Sequence, residues 1–562
     1  LGYWNIGVSV KVRYKKKFFQ TTKLIHLKIK KIKLNLNIVM GINKNGMRII
    51  EKISKPKLSF KLDIDFSNDL LHILSKPLTK LAELIADKAL QRALVKNMDK
   101  LNLTARESRQ IYGYEDQPSF ILKIVDEELL ERVVAGVDEA APIENLPFGL
   151  LHITWFDNEL QNSSWKEAFG NGYSKLGNFK QMIANGDSAI FSGLYLASQA
   201  FRYNVTNDPN ALRNIEKVLG GIEKLVEVGG NHGLLARVAF PSDTDLGKQL
   251  LRKEKHTIRE REINGRKWVG NYGKNGVSRD QHVGVFFGLA MAYELVGDNN
   301  LEIKKRASGL YTKILDYILS NGWIVSEDRK ALSDLTSKSF PTIWAGMVHQ
   351  KLAILLAGAR MRPDKYKKEI EEITPMSELS WLPMFANSAF GSIESYYKFN
   401  LAYTVFYLYF FFEKDNVRRT NMKKAITVLE HRIGHHVNPY FDIIRGVIHP
   451  PKIGQLKPRI DDSFMRFIER NHRTCAPMNL DLSGIEVEKI EIGLEKKEEE
   501  LLSKRVLPVD KRWYYRQFLW QRSPFDVAIP GKGAGCKRKP SGVSLLLPYW
   551  MARYHGLYGS GL

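Results

Sequence analysis

Residues 276–298 read GVSRDQHVGVFFGLAMAYELVGD, and they decide the fold. From Val283 to Leu295 almost every position is apolar or small. Such a segment has no polar stripe and reads as a helix buried on every side. Three polar groups, Asp280, Gln281 and His282, stand at its front. The next stretch, NLEIKKRASGLYTKILDYILSNG, carries Lys and Glu on one face only. An all-apolar helix followed by an amphipathic one is the inner and outer arm of a helical hairpin.

The same pair occurs upstream. GDSAIFSGLYLASQAFRYNVTND predicts a helix from near Asp187 to near Tyr203. PNALRNIEKVLGGIEKLVEVGG follows, with Pro209 at its start and Gly229 at its stop. The two inner segments align on F-x-G-L, Phe191 with Phe286 and Gly193 with Gly288. Gly193, Gly284 and Gly288 lack bulk, so the two inner helices can approach closely. TIWAGMVHQKLAILLAGARM, then FNLAYTVFYLYFFFEKD with VRRTNMKKAITVLEHRIGHH, and lastly VSLLLPYWMARYHGL extend the pattern. From residue 143 onward about 420 residues hold roughly twelve helices at ordinary helix and loop lengths. The expected fold is therefore all-α: an (α/α)6 toroid of hairpins over residues 143–562. A small N-terminal α/β appendage over residues 40–142 precedes it, and strand elsewhere is confined to loops. The appendage contains an amphipathic helix, with Leu78, Leu81 and Ile85 at helical spacing, and a second helix after QPSFILKIV.

The net charge of +24 suggests nucleic acid until it is mapped. Residues 1–58 hold fifteen Lys/Arg and one acid, which is +14 of the +24, leaving +10 for the other 504 residues. The charge is a basic arm and not a basic protein. Nucleic acid is not an expected partner. The arm begins at Leu1, has no acid before Glu51 and meets its first methionine at Met40. Residues 1–39 are thus expected to be upstream sequence, dispensable for folding. No apolar run approaches the roughly 18 residues of a membrane span. Cys475 and Cys536 have no metal-type spacing, so neither a zinc site nor a disulfide framework is implied. The compartment stays open.

Chemistry is sought at the helix starts. In the repeat alignment Asp187 falls opposite His282 and Asn185 opposite Asp280. Carboxylates there feel the positive helix end, while burial acts against their charge. Two carboxylates in differing environments are what glycosidic acid/base chemistry uses. The competing reading is N-capping, for which Asp and Asn are common. Asp187, Asp280 and His282 are the catalytic candidates, with Asp280 both capping its helix and facing a cleft. Gln281 would orient a hydroxyl or a water.

The preceding segment, Lys248 to Arg279, carries ten Lys/Arg against three acids. Its INGRKWVGNYGKNG suggests a β-hairpin. Arg279, Trp268 and Tyr272 are the substrate-binding candidates: a cation for an acidic sugar and two rings to stack on it. Trp155, Trp165, Trp381 and Trp520 also fall in loops or near helix ends. His431 and His435 lie one turn apart, but no Glu follows His431, so no metal or other cofactor is assigned. Asp461 and Asp462 read as a turn.

The helical hairpins, GDSAIFSGLYLASQAFRY and SRDQHVGVFFGLAMAYELVGD together resemble the six-hairpin glycosidase superfamily over about residues 143–562. Within it, acids at inner-helix starts resemble those of the unsaturated glucuronyl hydrolases. The resemblance implies a hydrolase or lyase acting on an acidic, uronic-acid-containing saccharide, with Asp187 and Asp280 as its carboxylates. A non-catalytic helical scaffold or saccharide-binding protein of the same fold is the alternative, since fold does not determine function.

Overall fold

The structure is a computed structural model. It describes residues 3–10, 25–42, 48–53, 57–66, 122–156, 163–173, 179–183, 186–253, 255–273, 276–297, 300–323, 325, 347–380, 396–474, 487–492, 498–503, 505–512, 517–527 and 537–559. The chain forms two compact units, Leu1–Gly113 and Tyr114–Leu562.

In the first unit four strands make one antiparallel sheet: β1 (Tyr3–Val10), β2 (Ile25–Ile42), β3 (Arg48–Ile53) and β4 (Lys57–Phe66). β2 pairs with the other three. Its apolar residues switch from odd to even positions along the strand, which a regular pleat would send to opposite faces. A bulge between Ile29 and Lys31 absorbs the switch. Before it Ile25, Leu27 and Ile29 stand opposite Phe66, Ile64 and Leu62, and after it Ile32 and Leu34 stand opposite Phe60 and Leu58. The expected division at residue 39 therefore cuts through β2. Residues 25–39 share ladders with residues 48–66, and residues 3–10 pair with residues 32–39, so the arm is part of this sheet. The amphipathic stretch around Leu78 lies outside the described residues.

The second unit is mostly helical. Helix α1 (Glu127–Glu144) starts at Asp126, whose carboxylate accepts the Leu129 amide at 2.9 Å, and it buries Leu130, Val133, Val134 and Val137. Because that face belongs to this unit, the boundary falls at Gly113 and not at residue 142. Next come β5 (Ile153–Phe156), α2 (Trp165–Phe169) and β6 (Phe179–Ile183). The first hairpin is α3 (Ser188–Thr206) and α4 (Pro209–Glu227). Strand β7 (Val238–Pro241), helix α5 (Asp245–Leu251) and strands β8 (Ile258–Ile263) and β9 (Arg266–Asn271) follow. The β8–β9 turn is Asn264-Gly265 with φ of 51° and 73°, the two positive angles a tight hairpin asks of Asn-Gly.

The second hairpin is α6 (Arg279–Leu295) with α7 (Leu301–Ser320). Then come α8 (Val348–Met361), α9 (Lys367–Ile373), α10 (Tyr397–Phe412), α11 (Asn416–Ile433), α12 (Pro439–Ile448) and α13 (Ile453–Glu469). Asp461 and Asp462 lie inside α13 and not in a turn. Leu456, Ile460, Phe464 and Phe467 carry its buried face across Pro458. Short strands β10 (Val487–Ile492), β11 (Glu498–Ser503), β12 (Asp526–Val527) and β13 (Arg538–Lys539) precede the last helix, α14 (Val543–Tyr554). Among the described residues of this unit the named strands form three small sheets, β13–β5–β6, β7–β9–β8 and β10–β11–β12.

α3 packs on α4, α6 and α14; α6 packs on α7 and α10; α8 packs on α9 and α10; α12 packs on α10, α13 and α14; and α14 reaches back to α1. The α3–α6 seam is built on glycine. A Cβ on Gly193 would lie 2.1 Å from the Gly284 carbonyl oxygen, and one on Gly288 would lie 2.3 Å from that of Gly193. Side chains are excluded there, and the two backbones touch.

Candidate functional site

That seam fixes where the starts of α3 and α6 lie relative to each other. Asp187 occupies the N-cap position of α3 but makes no side-chain cap bond. It is claimed from outside the helix. Arg237 donates from Nη2 to Asp187 Oδ1 at 2.5 Å, and Gln281 donates from Nε2 to the same oxygen at 3.1 Å. Gln281 in turn accepts the Ile190 amide on Oε1 at 3.1 Å, so one side chain of α6 serves both an acid and an amide of α3. Gln281 thus orients Asp187.

Arg237 is the organiser that reading the sequence missed. Its Nε donates to the Gly186 carbonyl at 2.8 Å and its Nη1 to Ser278 Oγ at 3.1 Å. Its backbone is anchored as well, with its carbonyl accepting the Ala189 amide and its amide donating to Asn271. The one local signal was a lone cation within the apolar run GLLARVAFP. Lys253 lies within electrostatic reach of both Arg237 and Asp187.

On α6 the N-cap is Ser278, not Asp280. Asp280 sits in the first turn, half-buried, and among the described residues it makes no hydrogen bond or ion pair. The charges it feels include Arg279, and both residues act on Tyr397 at the start of α10. His282 is fully buried. Its Nδ1 lies 3.0 Å from the Ser278 carbonyl. A carbonyl can only accept, so Nδ1 carries the proton and Nε2 keeps its lone pair. That Nε2 is buried and has no hydrogen-bond partner among the described residues. Burial, with Arg237 adding to it, holds the imidazole down to about 4, so it is neutral at physiological pH.

The structure therefore brings Asp187, Gln281, Arg237 and Ser278 into one network, with Asp280 and His282 on the same helical turn. It does not bring in the two hairpin rings. Trp268 is buried, edge-on to Phe148 at 5.9 Å, with the Lys224 ammonium 5.8 Å from its ring. Tyr272 is buried beneath the Arg259 guanidinium at 5.1 Å. Both rings are spent on seating the hairpin, and neither offers a face to a sugar. Trp165 and Trp520 are likewise fully buried core residues. Trp381, Asn185, Cys475 and Cys536 lie outside the described residues.

Two other helices also begin with polar residues. His349 and Gln350 open α8, and Tyr397 opens α10 with 40% of its surface exposed. Arg279 is among the charges acting on His349, whose imidazole is pushed down to about 3, chiefly by burial. No group of three or more candidate ligands for a metal ion occurs among the described residues. No described helix is long and apolar enough to cross a membrane. No family model, curated protein or solved structure matches this chain.

Proposed function

We propose that this chain is a carbohydrate-active enzyme, a hydrolase or lyase for uronic-acid-containing saccharides, working by carboxylate acid/base catalysis. One observation carries the reading. Two acids stand at the starts of two glycine-packed helices, and neither is used as a cap. Capping was the competing reason for their presence. Asp280, reached by solvent and without a hydrogen-bonding partner among the described residues, is the proton carrier. Asp187, held by Arg237 and Gln281, is the second carboxylate. Arg279 and Lys253 supply the positive field an acidic sugar would meet.

The helices are proposed to close into an (α/α)6 toroid. In support, α14 packs against both α3 and α1, so the last helix meets the first hairpin and the first helix. The inner arms would be α3, α6, α8, α10, α12 and α14.

The test is turnover of a panel of uronic-acid-containing oligosaccharides, beside thermal melts. Asp280→Asn is expected to lower turnover about 10²–10⁴-fold, the usual worth of general acid/base catalysis, with an unchanged melt. Asp187→Asn should lose turnover similarly and melt slightly lower, having lost its charge-assisted bond to Arg237. One observation favours a second reading, a saccharide-binding scaffold: Gln281 and His282 have no exposed surface. Binding of the panel by the wild type with no turnover of any member would select that reading.

A further inference from the structure

The turn that leaves α4 reads Gly229-Gly230-Asn231-His232-Gly233, with φ of 107° at Gly230, 61° at Asn231 and 105° at Gly233. A Cβ on Gly233 would lie 2.3 Å from the Lys313 carbonyl oxygen and 2.6 Å from Tyr317 Cβ, so the turn lies directly on α7. The Lys313 ammonium bonds the Asn231 side chain at 2.7 Å, and the His232 ring stands 5.2 Å from that of Tyr317. β8 borders the same turn. A Cβ on Gly230 would lie 2.8 Å from His232 Nδ1 and 3.0 Å from Arg261 Nη1. Both nitrogens thus flank the position where any other residue would carry its side chain. His232 and Arg261 are exposed, and among the described residues neither has a hydrogen bond or an ion pair. Glu227, the acid just before the turn, is held by Lys224 at 2.6 Å. Glu260 and Glu262 alternate with Arg261 along β8 and so belong to its other face. Three nitrogen donors from three segments therefore meet at one turn, and among the described residues no acid is paired with any of them.

We propose that this turn is a phosphate site: Arg261, Lys313 and His232 take the oxygens of a phosphate group, free or at the end of a small monoester. The proposal stands apart from the saccharide reading and does not need it. A phosphate group carries close to two negative charges and three strong acceptor oxygens, so it can meet donors that arrive from three directions. A carboxylate offers one charge and two oxygens. Arg261 supplies a fork of N–H donors, Lys313 a compact charge and His232 a ring nitrogen. Gly230 matters because it keeps side-chain bulk out of the gap between His232 and Arg261. The amides of Gly230 and Asn231 are not the donors, since they bond the carbonyls of Glu227 and Val226. Recognition therefore falls to the three side chains.

The experiment is calorimetric titration of the full chain, at fixed ionic strength, with inorganic phosphate, glucose 6-phosphate and acetate. The phosphate group should bind at one site and acetate should not. Arg261→Gln and Lys313→Gln should each weaken it about ten- to hundred-fold, the contribution of a hydrogen bond to a charged group. Arg261 is exposed, so its variant should melt as the wild type does. Arg266→Gln is the control. It removes the same charge from the same hairpin, where Asp243 already holds it at 3.0 Å, and should leave phosphate binding unchanged. Binding of inorganic phosphate without the ester upholds the site with free phosphate as its ligand, and binding of both extends it to monoesters. Binding of neither overturns the proposal, as does acetate bound as tightly as phosphate or an unchanged affinity in Arg261→Gln. An equal loss in Arg266→Gln also overturns it, since binding would then be a general attraction to basic surface. A lower melt in Arg261→Gln without phosphate binding would leave the cations only the role of complementing the end of α4.

Discussion

Two buried polar regions of the helical unit have similar ingredients and opposite states. Around α11–α13, Glu430 has Lys452 at 2.5 Å and Arg445 at 3.5 Å, and Asp442 has Arg445 at 2.8 Å and Arg459 at 3.3 Å. Every acid in that knot faces cations, and the Gly434 carbonyl accepts from both Arg445 and Arg459. At the starts of α6 and α8, His282 and His349 each bury a nitrogen with no partner, and Asp280 has no ion pair among the described residues. The knot too buries atoms without a hydrogen-bond partner, among them Glu430 Oε1, Asp442 Oδ2 and the Nε atoms of Arg445 and Arg459, so unmet atoms alone do not set the two regions apart. What differs is charge pairing: both acids of the knot face cations, whereas Asp280 has no ion pair among the described residues. Paired charges hold helices together, and an unpaired carboxylate is available to a ligand.

The largest effect expected from this contrast is in the knot. Glu430→Gln removes the acid that Arg445 and Lys452 share; Arg445 keeps Asp442 and Lys452 is partly exposed, so the loss should approach but not exceed the about 3–5 kcal/mol typical of breaking a fully buried pair. Denaturant unfolding reads it directly. A loss within about 0.5 kcal/mol would mean the knot is no more structural than the site.

The next effect is a pH dependence seated at the open end. His282 is neutral when folded, with its proton affinity held down to about 4, whereas an unfolded histidine titrates near 6.5. Its contribution to stability is complete above about 6.5. It is lost as pH falls from there towards 4, because the unfolded chain binds the proton first. The loss saturates at about 3 kcal/mol. His282→Gln should flatten the pH dependence of the unfolding free energy between pH 6.5 and 4. An identical slope in both proteins would remove His282 from the buried set.

The smallest effect sharpens the packing side of the comparison. Gly193→Ala places a methyl against the Gly284 backbone, and overpacking of this kind costs about 1–3 kcal/mol. Gly309 lies in α7 with nothing within 4 Å of the same methyl. Gly309→Ala should instead stabilise by about 0.5–1 kcal/mol. Paired melts check both, and equal shifts would mean that the seam is not in close contact.

Much of the fold was legible because it rests on local pattern. The apolar α3 and α6, their amphipathic partners α4 and α7, the glycine seam and the hairpin all follow from spacing. Their observed ends lie within a few residues of the expected ones. What failed depended on contacts between distant segments. Asp280 looked like a cap, but Ser278 takes that position two residues earlier. Trp268 and Tyr272 looked like loop aromatics; the pairing of β9 with β7 and β8 seats Trp268, and the bond from the Tyr272 amide to the Thr257 carbonyl holds the next turn against β8. Arg237 carries no motif at all. It matters through what other segments bring to it. The sheet of the first unit was hidden for a different reason: its alternation changes parity at the bulge, so a strict period of two breaks off mid-strand.

The meeting of α1 and α14 also bears on how the chain comes to be folded. Asp138 in α1 is fully buried and accepts from Gln199 at 2.7 Å and from the Trp550 indole at 2.8 Å, and the indole lies 412 positions later in the chain. During synthesis the first helix is made early and its last donor very late. Until α14 leaves the ribosome, that carboxylate and the face of α3 that α14 covers remain open to water and to other chains. Closing so distant a contact adds little to the equilibrium cost, which grows only with the logarithm of loop length, but it slows folding. The unit should therefore fold late and cooperatively. The nascent chain just short of α14 is the species that chaperones have most reason to hold.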